Sequence, residues 1–326
     1  MHAPVSASAR VDADLLARVH RLGRLLQPTP TVPLPLGALR LHAKLEYANP
    51  SGSVKDRSAY WILKRAVERG EVQTGTTIVE SSSGNFAVAL ATYAQLLGLP
   101  FIPVIDPNIL PTNEAHLRRL CARVVKVDQR DDTGGFLKTR LAAVHHLCGS
   151  MPDAFWTNQY ENEDAIDAHE HLTGEEICQA LPTVDVAFIG VSTGGTLAGI
   201  SRRLRASHPS VTIVAVDTVG SVVFGGAPQR RHIPGLGSSI VPPLVARAHV
   251  DAVEMVSERE AVRGCQTLLW EHGLFVGGST GSCFIAAERY VARTGDRPAT
   301  GVMLCADRGT AYLDTIFDPA WVTRLE

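Results

Sequence analysis

Lys55 stands in the stretch "NPSGSVKDR", residues 49–57, directly ahead of an apolar helical pattern. The chain has five lysines in 326 residues: Lys44, Lys55, Lys64, Lys126 and Lys138. A lysine on a helix surface is ordinary. One set behind Asn49-Pro50-Ser51-Gly52-Ser53 and followed by Asp56-Arg57 is held by a shaped loop, as an amine that acts as a nucleophile or base must be.

Three strand-to-helix loops offer partners for that amine. In "IVESSSGNFAVALATY" a strand ends at Glu80, and Ser81-Ser82-Ser83-Gly84-Asn85 leads into an apolar helix. Hydroxyls and backbone N–H groups at a helix N-terminus suit a carboxylate or phosphate. Plain helix capping would need one such residue, not four and a glycine. In "VAFIGVSTGGTLAGISRRL" the turn is Ser192-Thr193-Gly194-Gly195-Thr196. Its glycines allow close backbone approach, and successive N–H groups form a nest for an anion. It matches neither the dinucleotide nor the nucleoside-triphosphate fingerprint, so a cup for one phosphate is the better reading. In "GLFVGGSTGSCFIAAERY" Ser279 lies in a glycine-flanked loop before a helix that starts at Ser282, where it could present its hydroxyl to a ring nitrogen. One amine, one phosphate cup, one carboxylate cup and one isolated hydroxyl together describe a pyridoxal 5'-phosphate (PLP) site for an amino acid.

The elements around these loops are of one kind. Eight strand-like runs, among them Thr77–Glu80, Phe101–Ile105, Val184–Val191 and Gly301–Ala306, alternate with nine helix-like runs. The latter include Val11–Leu26, Arg57–Arg69, Phe86–Leu97, Ala165–Leu181, Thr196–Ser207 and Ser282–Thr294. That alternation predicts an α/β fold with mostly parallel sheets, whose ligand loops gather at the strands' carboxyl ends. The alternation breaks across residues 148–165, "CGSMPDAFWTNQYENEDA", where a domain change is expected.

Composition sets the outer bounds. The hydrophobic share is 45%, the charged share 20% and the net charge −2, as in a soluble enzyme without an electrostatic footprint for nucleic acid. No apolar run is long enough to span a membrane, and the start lacks the basic-then-apolar order of a secretory signal. It reads as a frayed start before a helix. Six scattered cysteines without paired spacing read as reduced thiols of a cytoplasmic protein. Twelve histidines show no metal-ligand spacing, and His169 and His171 read as solvated helical residues.

Asn-Pro-x-Gly-Ser-Val-Lys-Asp-Arg, then Ser-Gly-Asn, then Thr-Gly-Gly-Thr, then Gly-Gly-Ser resembles the fold-type II PLP enzymes, the family of the cysteine synthases and the cystathionine beta-synthase core. The resemblance runs from about residue 25 to the C-terminus. It implies two three-layer domains with the cofactor in the cleft between them. The large one would span residues 1–46 plus 155–326 and the smaller, mobile one residues 47–154. Lys55 matches the lysine that holds the cofactor covalently, and Asn85 the partner of its ring hydroxyl. Ser192, Thr193, Gly194, Gly195 and Thr196 match the phosphate cup, and Ser279 the partner of the pyridine nitrogen. Ser82, Ser83, Gly84 and Asn85 form the substrate carboxylate loop, which Gln159 faces.

Departures from the sulfur-assimilating pattern are Phe86-Ala87 after the first loop, Tyr160 after Gln159, and Ser192 opening the cup. They resemble the synthases that make N-(2-amino-2-carboxyethyl)-L-glutamate from O-phospho-L-serine and L-glutamate. That branch feeds 2,3-diaminopropionate into siderophores and peptide antibiotics. It implies a homodimer and a dehydrogenase acting on the product. Arg140 is a candidate for the substrate phosphate, with a solvated helix arginine as its plain alternative. Arg230 or Arg231 is a candidate for a carboxylate of L-glutamate. Cysteine synthase, using O-acetylserine or O-phosphoserine with sulfide, is one rival reading; a catalytically idle binding or scaffold protein of the same fold is the other, and retention of Lys55, Asn85 and Ser279 argues against it.

Overall fold

The computed structural model describes residues 11–132, 134–295 and 297–325. The frayed start expected at residues 1–10 lies outside them. Ten strands run in chain order among the described residues: β1 Thr31–Pro33, β2 Leu39–Lys44, β3 Thr77–Ser81, β4 Phe101–Ile105, β5 Val125–Lys126, β6 Ala154–Trp156, β7 Val186–Gly190, β8 Thr212–Thr218, β9 Ala252–Val256 and β10 Ala299–Leu304. The chain divides into two compact units, Met1–Leu26 with Ala59–Asn158, and Gln27–Ser58 with Gln159–Glu326.

The larger unit holds a six-stranded sheet in the order β1-β2-β10-β7-β8-β9. All its pairs are parallel except β1 with β2. β10 is buried along its whole length and β8 nearly so, the pattern of strands covered on both faces. Ile189, Val191, Leu197, Ile213, Ala215, Val302 and Leu304 belong to one core. From β7 the chain proceeds outward through β8 and β9, then returns to the other flank of β7 as β10. The order therefore reverses between β7 and β10, and the crevice beyond their carboxyl ends is where an open sheet binds ligands.

The smaller unit repeats the arrangement. Its all-parallel sheet is ordered β5-β4-β3-β6, so the reversal falls at β3. The loop after β3 is the serine-rich one. Val79, Ile102, Val104, Val144 and Leu147 form a core on this sheet.

Several expectations are corrected. The segment where the alternation was expected to break holds one unit boundary, between Asn158 and Gln159, but it also contains β6. Its three residues are too few to show a strand period. The expected helix Ala165–Leu181 is helical at Asp164–Ala168 and Glu175–Ala180, with a π-helical stretch at His169–Gly174 between them. The last long helix starts at Gly278, so Ser279 sits in its first turn and not in a loop. The glycine pair reads as a turn in sequence. However, a side chain on Gly278 would meet Ile233 at 2.4 Å, so glycine is there for close packing. The unit boundary also differs from the expected span: residues up to Leu26 group with the smaller unit, and residues 47–58 with the larger.

A buried ion cluster anchors the lysine loop in the larger unit. Arg57, fully buried, pairs with Glu46 (Nε to Oε2, 3.1 Å) and with Glu176 (Nη1 to Oε1, 2.7 Å). Lys44 Nζ pairs with Glu176 Oε2 at 2.7 Å. Burial opposes the Arg57 charge, but Glu46 and then Glu176 outweigh it and raise its pKa. Two cations and two carboxylates leave no net buried charge, which makes burial of the set tolerable. Lys44, one of the five lysines, is thereby occupied.

Candidate active site

Lys55 is the first residue of the helix Lys55–Glu68. Asp56 builds the loop before it, accepting from Ser51 N at 2.8 Å, Ser51 Oγ at 2.6 Å and Ser53 N at 3.3 Å. Val54 N donates to Ala306 O at 2.8 Å, and Ser53 bridges to Asp307 just past β10. The lysine therefore lies beside the reversal point of the larger sheet. Burial lowers its amine pKa to about 8, and the Asp307 charge works in the opposite direction. A large fraction of neutral amine at mildly alkaline pH is what a nucleophilic lysine requires.

The Ser192–Thr196 turn follows β7 and opens the helix Gly195–Ser207. Its N-cap is Gly194, at φ +95°, a conformation that favours glycine. A Cβ there would stand 2.7 Å from Val245 N. With a glycine N-cap, no side chain occupies the first-turn N–H groups, and the helix dipole favours an anion in front of them. The Ser192 hydroxyl donates to Gly237 O at 3.2 Å, which ties the cup to the segment carrying Arg231. Ser279 lies against the end of β7: a Cβ on Gly190 would be 3.7 Å from that of Ser279. The larger unit thus brings together the cup, the isolated hydroxyl and the loop of Lys55. This donor set fits a phosphate-bearing aldehyde cofactor: an anion nest, a hydroxyl and a desolvated amine.

The smaller unit carries the serine loop. Asn85 opens the helix Asn85–Leu97 behind another glycine N-cap, Gly84. Ser82 is buried, and its Oγ accepts from Gly84 N at 3.4 Å. Glu80, fully buried at the end of β3, accepts from Ser81 N at 2.7 Å and from Thr157 Oγ1 at 2.6 Å. Asp106, just past β4, binds the Ser83 hydroxyl at 3.1 Å. Arg140 pairs with Asp106 (Nε to Oδ2, 3.2 Å) and donates to Ser83 Oγ at 3.3 Å. Its side chain is 12% exposed. Arg140 is therefore docked on the serine loop, which corrects the solvated alternative.

Gln159 is buried and Tyr160 half-buried in the turn after Asn158. Among the described residues Asn158 is the non-glycine with positive φ, at 45°. Asparagine tolerates that conformation better than most side chains. Arg230 is exposed, whereas Arg231 is half-buried and donates Nη1 to Leu236 O at 3.3 Å. Burial lowers the Arg231 pKa, opposed by Asp217 and Glu258.

His169 corrects the sequence expectation most sharply. It is fully buried, with Nδ1 3.0 Å from Thr173 Oγ1 and Nε2 3.2 Å from Thr196 Oγ1. Glu80, Asp106, Asp307 and His169 all escaped the sequence reading. Each acts on a residue far along the chain, which no local pattern reveals, even for Glu80 at the edge of the serine motif.

The family model for pyridoxal-phosphate dependent enzymes matches residues 23–306. Two relatives named N-(2-amino-2-carboxyethyl)-L-glutamate synthase align with most of the chain. The one from Ralstonia nicotianae is 45% identical over 284 residues, and the one from Cupriavidus metallidurans 43% over 286. Each alignment covers 87% of this chain and 84% of the relative. The crystal structure of the O-acetylserine dependent cystathionine beta-synthase from Helicobacter pylori has a TM-score of 0.83 and 28% identity, covering 90% of this chain and 96% of that one. The match across most of the chain, on a lysine loop and an anion cup of the right chemistry, is decisive: the chain belongs to the family of pyridoxal-phosphate dependent enzymes.

Proposed function

We propose that this chain catalyses β-replacement on O-phospho-L-serine with L-glutamate as acceptor, giving N-(2-amino-2-carboxyethyl)-L-glutamate and inorganic phosphate. The observation that carries it is the shared name of the two relatives at 45% and 43% identity across 87% of the chain. The docked Arg140 beside the serine loop adds physical support, because a phosphate leaving group needs a cation and an acetyl group does not.

PLP, when bound, supplies the electron sink for charge developing at the substrate α-carbon. The chain's residues do the rest. Lys55 would hold the cofactor, and its depressed-pKa amine would take the α proton. Ser192, Thr193, Gly194, Gly195 and Thr196 bind the cofactor phosphate, while Asn85 and Ser279 orient its ring. Ser82, Ser83, Gly84, Asn85 and Gln159 bind the substrate carboxylate, with Tyr160 beside Gln159. Arg140 receives the leaving phosphate.

The product suits later dehydrogenation at its glutamate α-carbon, giving an imine that water hydrolyses to 2,3-diaminopropionate and 2-oxoglutarate, the former for siderophore or peptide assembly. The enzyme works as a homodimer in the cytoplasm. Its six cysteines are free, which fits a reducing compartment.

The test is competition. PLP-loaded enzyme receives O-phospho-L-serine with equimolar L-glutamate and sulfide, and mass spectrometry reads the products. The glutamate adduct should dominate; predominant cysteine would restore the cysteine synthase reading.

The two arginine candidates for the acceptor differ in burial, and the half-buried Arg231 is the better placed to hold a carboxylate. A charge-assisted hydrogen bond is worth about 1.5–3 kcal/mol, so Arg231→Gln should lower kcat/KM for L-glutamate about ten- to a hundredfold. The exposed Arg230→Gln should change it less than about twofold. Steady-state rates at saturating O-phospho-L-serine separate the two, and equal losses would discard the assignment.

A further inference from the structure

His169 is fully buried, yet it is no remnant of packing: both ring nitrogens meet a threonine hydroxyl. Thr173, fully buried too, has the ring's Nδ1 as the hydrogen-bond partner of its hydroxyl among the described residues. Leaving that hydroxyl proton unsatisfied would be costly, so Thr173 donates and Nδ1 accepts. Burial, with Lys55 and Arg57 adding to it, holds the His169 pKa well below its ordinary value, so the ring is neutral. A neutral ring that accepts at Nδ1 carries its proton on Nε2. Nε2–H then donates to Thr196 Oγ1. Thr196 thus accepts from the histidine, and its own hydroxyl proton remains for a ligand of the cup.

The backbone holds this arrangement. The π-helical stretch His169–Gly174 places the histidine and Thr173 on one side, packed against the helix Gly195–Ser207. The approach is close because Gly199 has no side chain: a Cβ there would stand 2.3 Å from Ile166 O and 2.7 Å from His169 Cβ. π-Helical turns often mark functional positions.

We propose that Thr173, His169 and Thr196 form a directed hydrogen-bond relay that aims the Thr196 hydroxyl proton at the cofactor phosphate, making His169 a positioning residue for PLP. The proposal rests on the assignment of Ser192–Thr196 to that phosphate.

The experiment measures PLP affinity by titrating apoenzyme, and the phosphorus NMR shift of bound PLP. Thr196→Val and His169→Leu should each weaken PLP binding about ten- to a hundredfold and move the resonance. The double variant should be little worse than either alone, because both remove the same bond. Thr173→Val, nearly isosteric and one step removed, should weaken binding about three- to tenfold. His169→Gln, which keeps a donor, should recover part of the His169→Leu loss and guards against a variant that fails to fold. A merely structural histidine would lower the apoenzyme's melting temperature while leaving affinity and resonance in place. If Thr196→Val moves both readouts while the His169 and Thr173 variants move neither, the relay is overturned alone. If Thr196→Val moves neither, the phosphate lies elsewhere, and the cup assignment falls together with the relay.

Discussion

Lys55→Ala should abolish covalent attachment of PLP and with it the visible band of the lysine-bound cofactor, expected at about 410–420 nm. Loss of the proton-transferring amine should also cut turnover by at least about 10²–10⁴-fold, the usual worth of a general acid–base group. The other four lysines should not substitute. Lys44 is committed to Glu176, Lys64 pairs with Glu68, Lys126 with Glu114, and Lys138 with Asp132. Borohydride reduction followed by peptide mapping checks the point, and a labelled lysine other than Lys55 in the variant would refute it. The pH dependence gives a second reading. Only the neutral amine attacks an aldehyde, and burial sets the Lys55 pKa at about 8 against 10.5 for an ordinary lysine. The rate of PLP attachment to apoenzyme should therefore rise about tenfold per pH unit below pH 8 and level off above it. An ordinary lysine would still be gaining rate at pH 10.

The motifs proposed to hold the cofactor are legible in sequence because each is local. A lysine loop, a Ser-Gly-Asn turn and a Gly-Gly turn each lie within a few residues at the end of one strand, where an α/β sheet puts its ligands. The groups that position them were not legible. Arg140 reaches Ser83 across 57 residues, Thr157 reaches Glu80 across 77, and Thr196 meets His169 across 27. Nothing in a one-dimensional pattern links such pairs. His169 was misread for a related reason. It stands in a polar-looking run, "DAHEHLTGEE", whose π-helical turn breaks the 3.6-residue period that assigns faces. Alternation gave the fold class, and its break across residues 148–165 contains one unit boundary, between Asn158 and Gln159, but the two units interleave in sequence and another boundary lies inside the helix Lys55–Glu68. A composition break could not find a boundary that no linker marks.

Arg140→Gln should separate the two possible donor substrates. Arg140 already contacts Ser83 Oγ and Asp106, so its guanidinium is oriented with part of its five-donor fork still to give. Two charge-assisted bonds to a phosphate dianion, at about 1.5–3 kcal/mol each, predict a loss of about 10²–10³-fold or more in kcat/KM for O-phospho-L-serine. The same variant should change kcat/KM for O-acetyl-L-serine by less than about threefold, since that leaving group carries no charge to recognise. Arg140→Lys should recover only part of the loss, as a point charge without the planar fork. The donor comparison matters because Arg140 also ties down the serine loop. If it served that loop alone, both donors would suffer equally, and the ratio of their kcat/KM values would not move. The preference for the phosphorylated donor should also shrink below about pH 6, where the phosphate dianion takes up a proton and becomes a monoanion. Rates for both donors, measured in parallel on wild type, Arg140→Gln and Arg140→Lys, decide whether this arginine recognises the phosphate or only braces the serine loop proposed to bind the carboxylate.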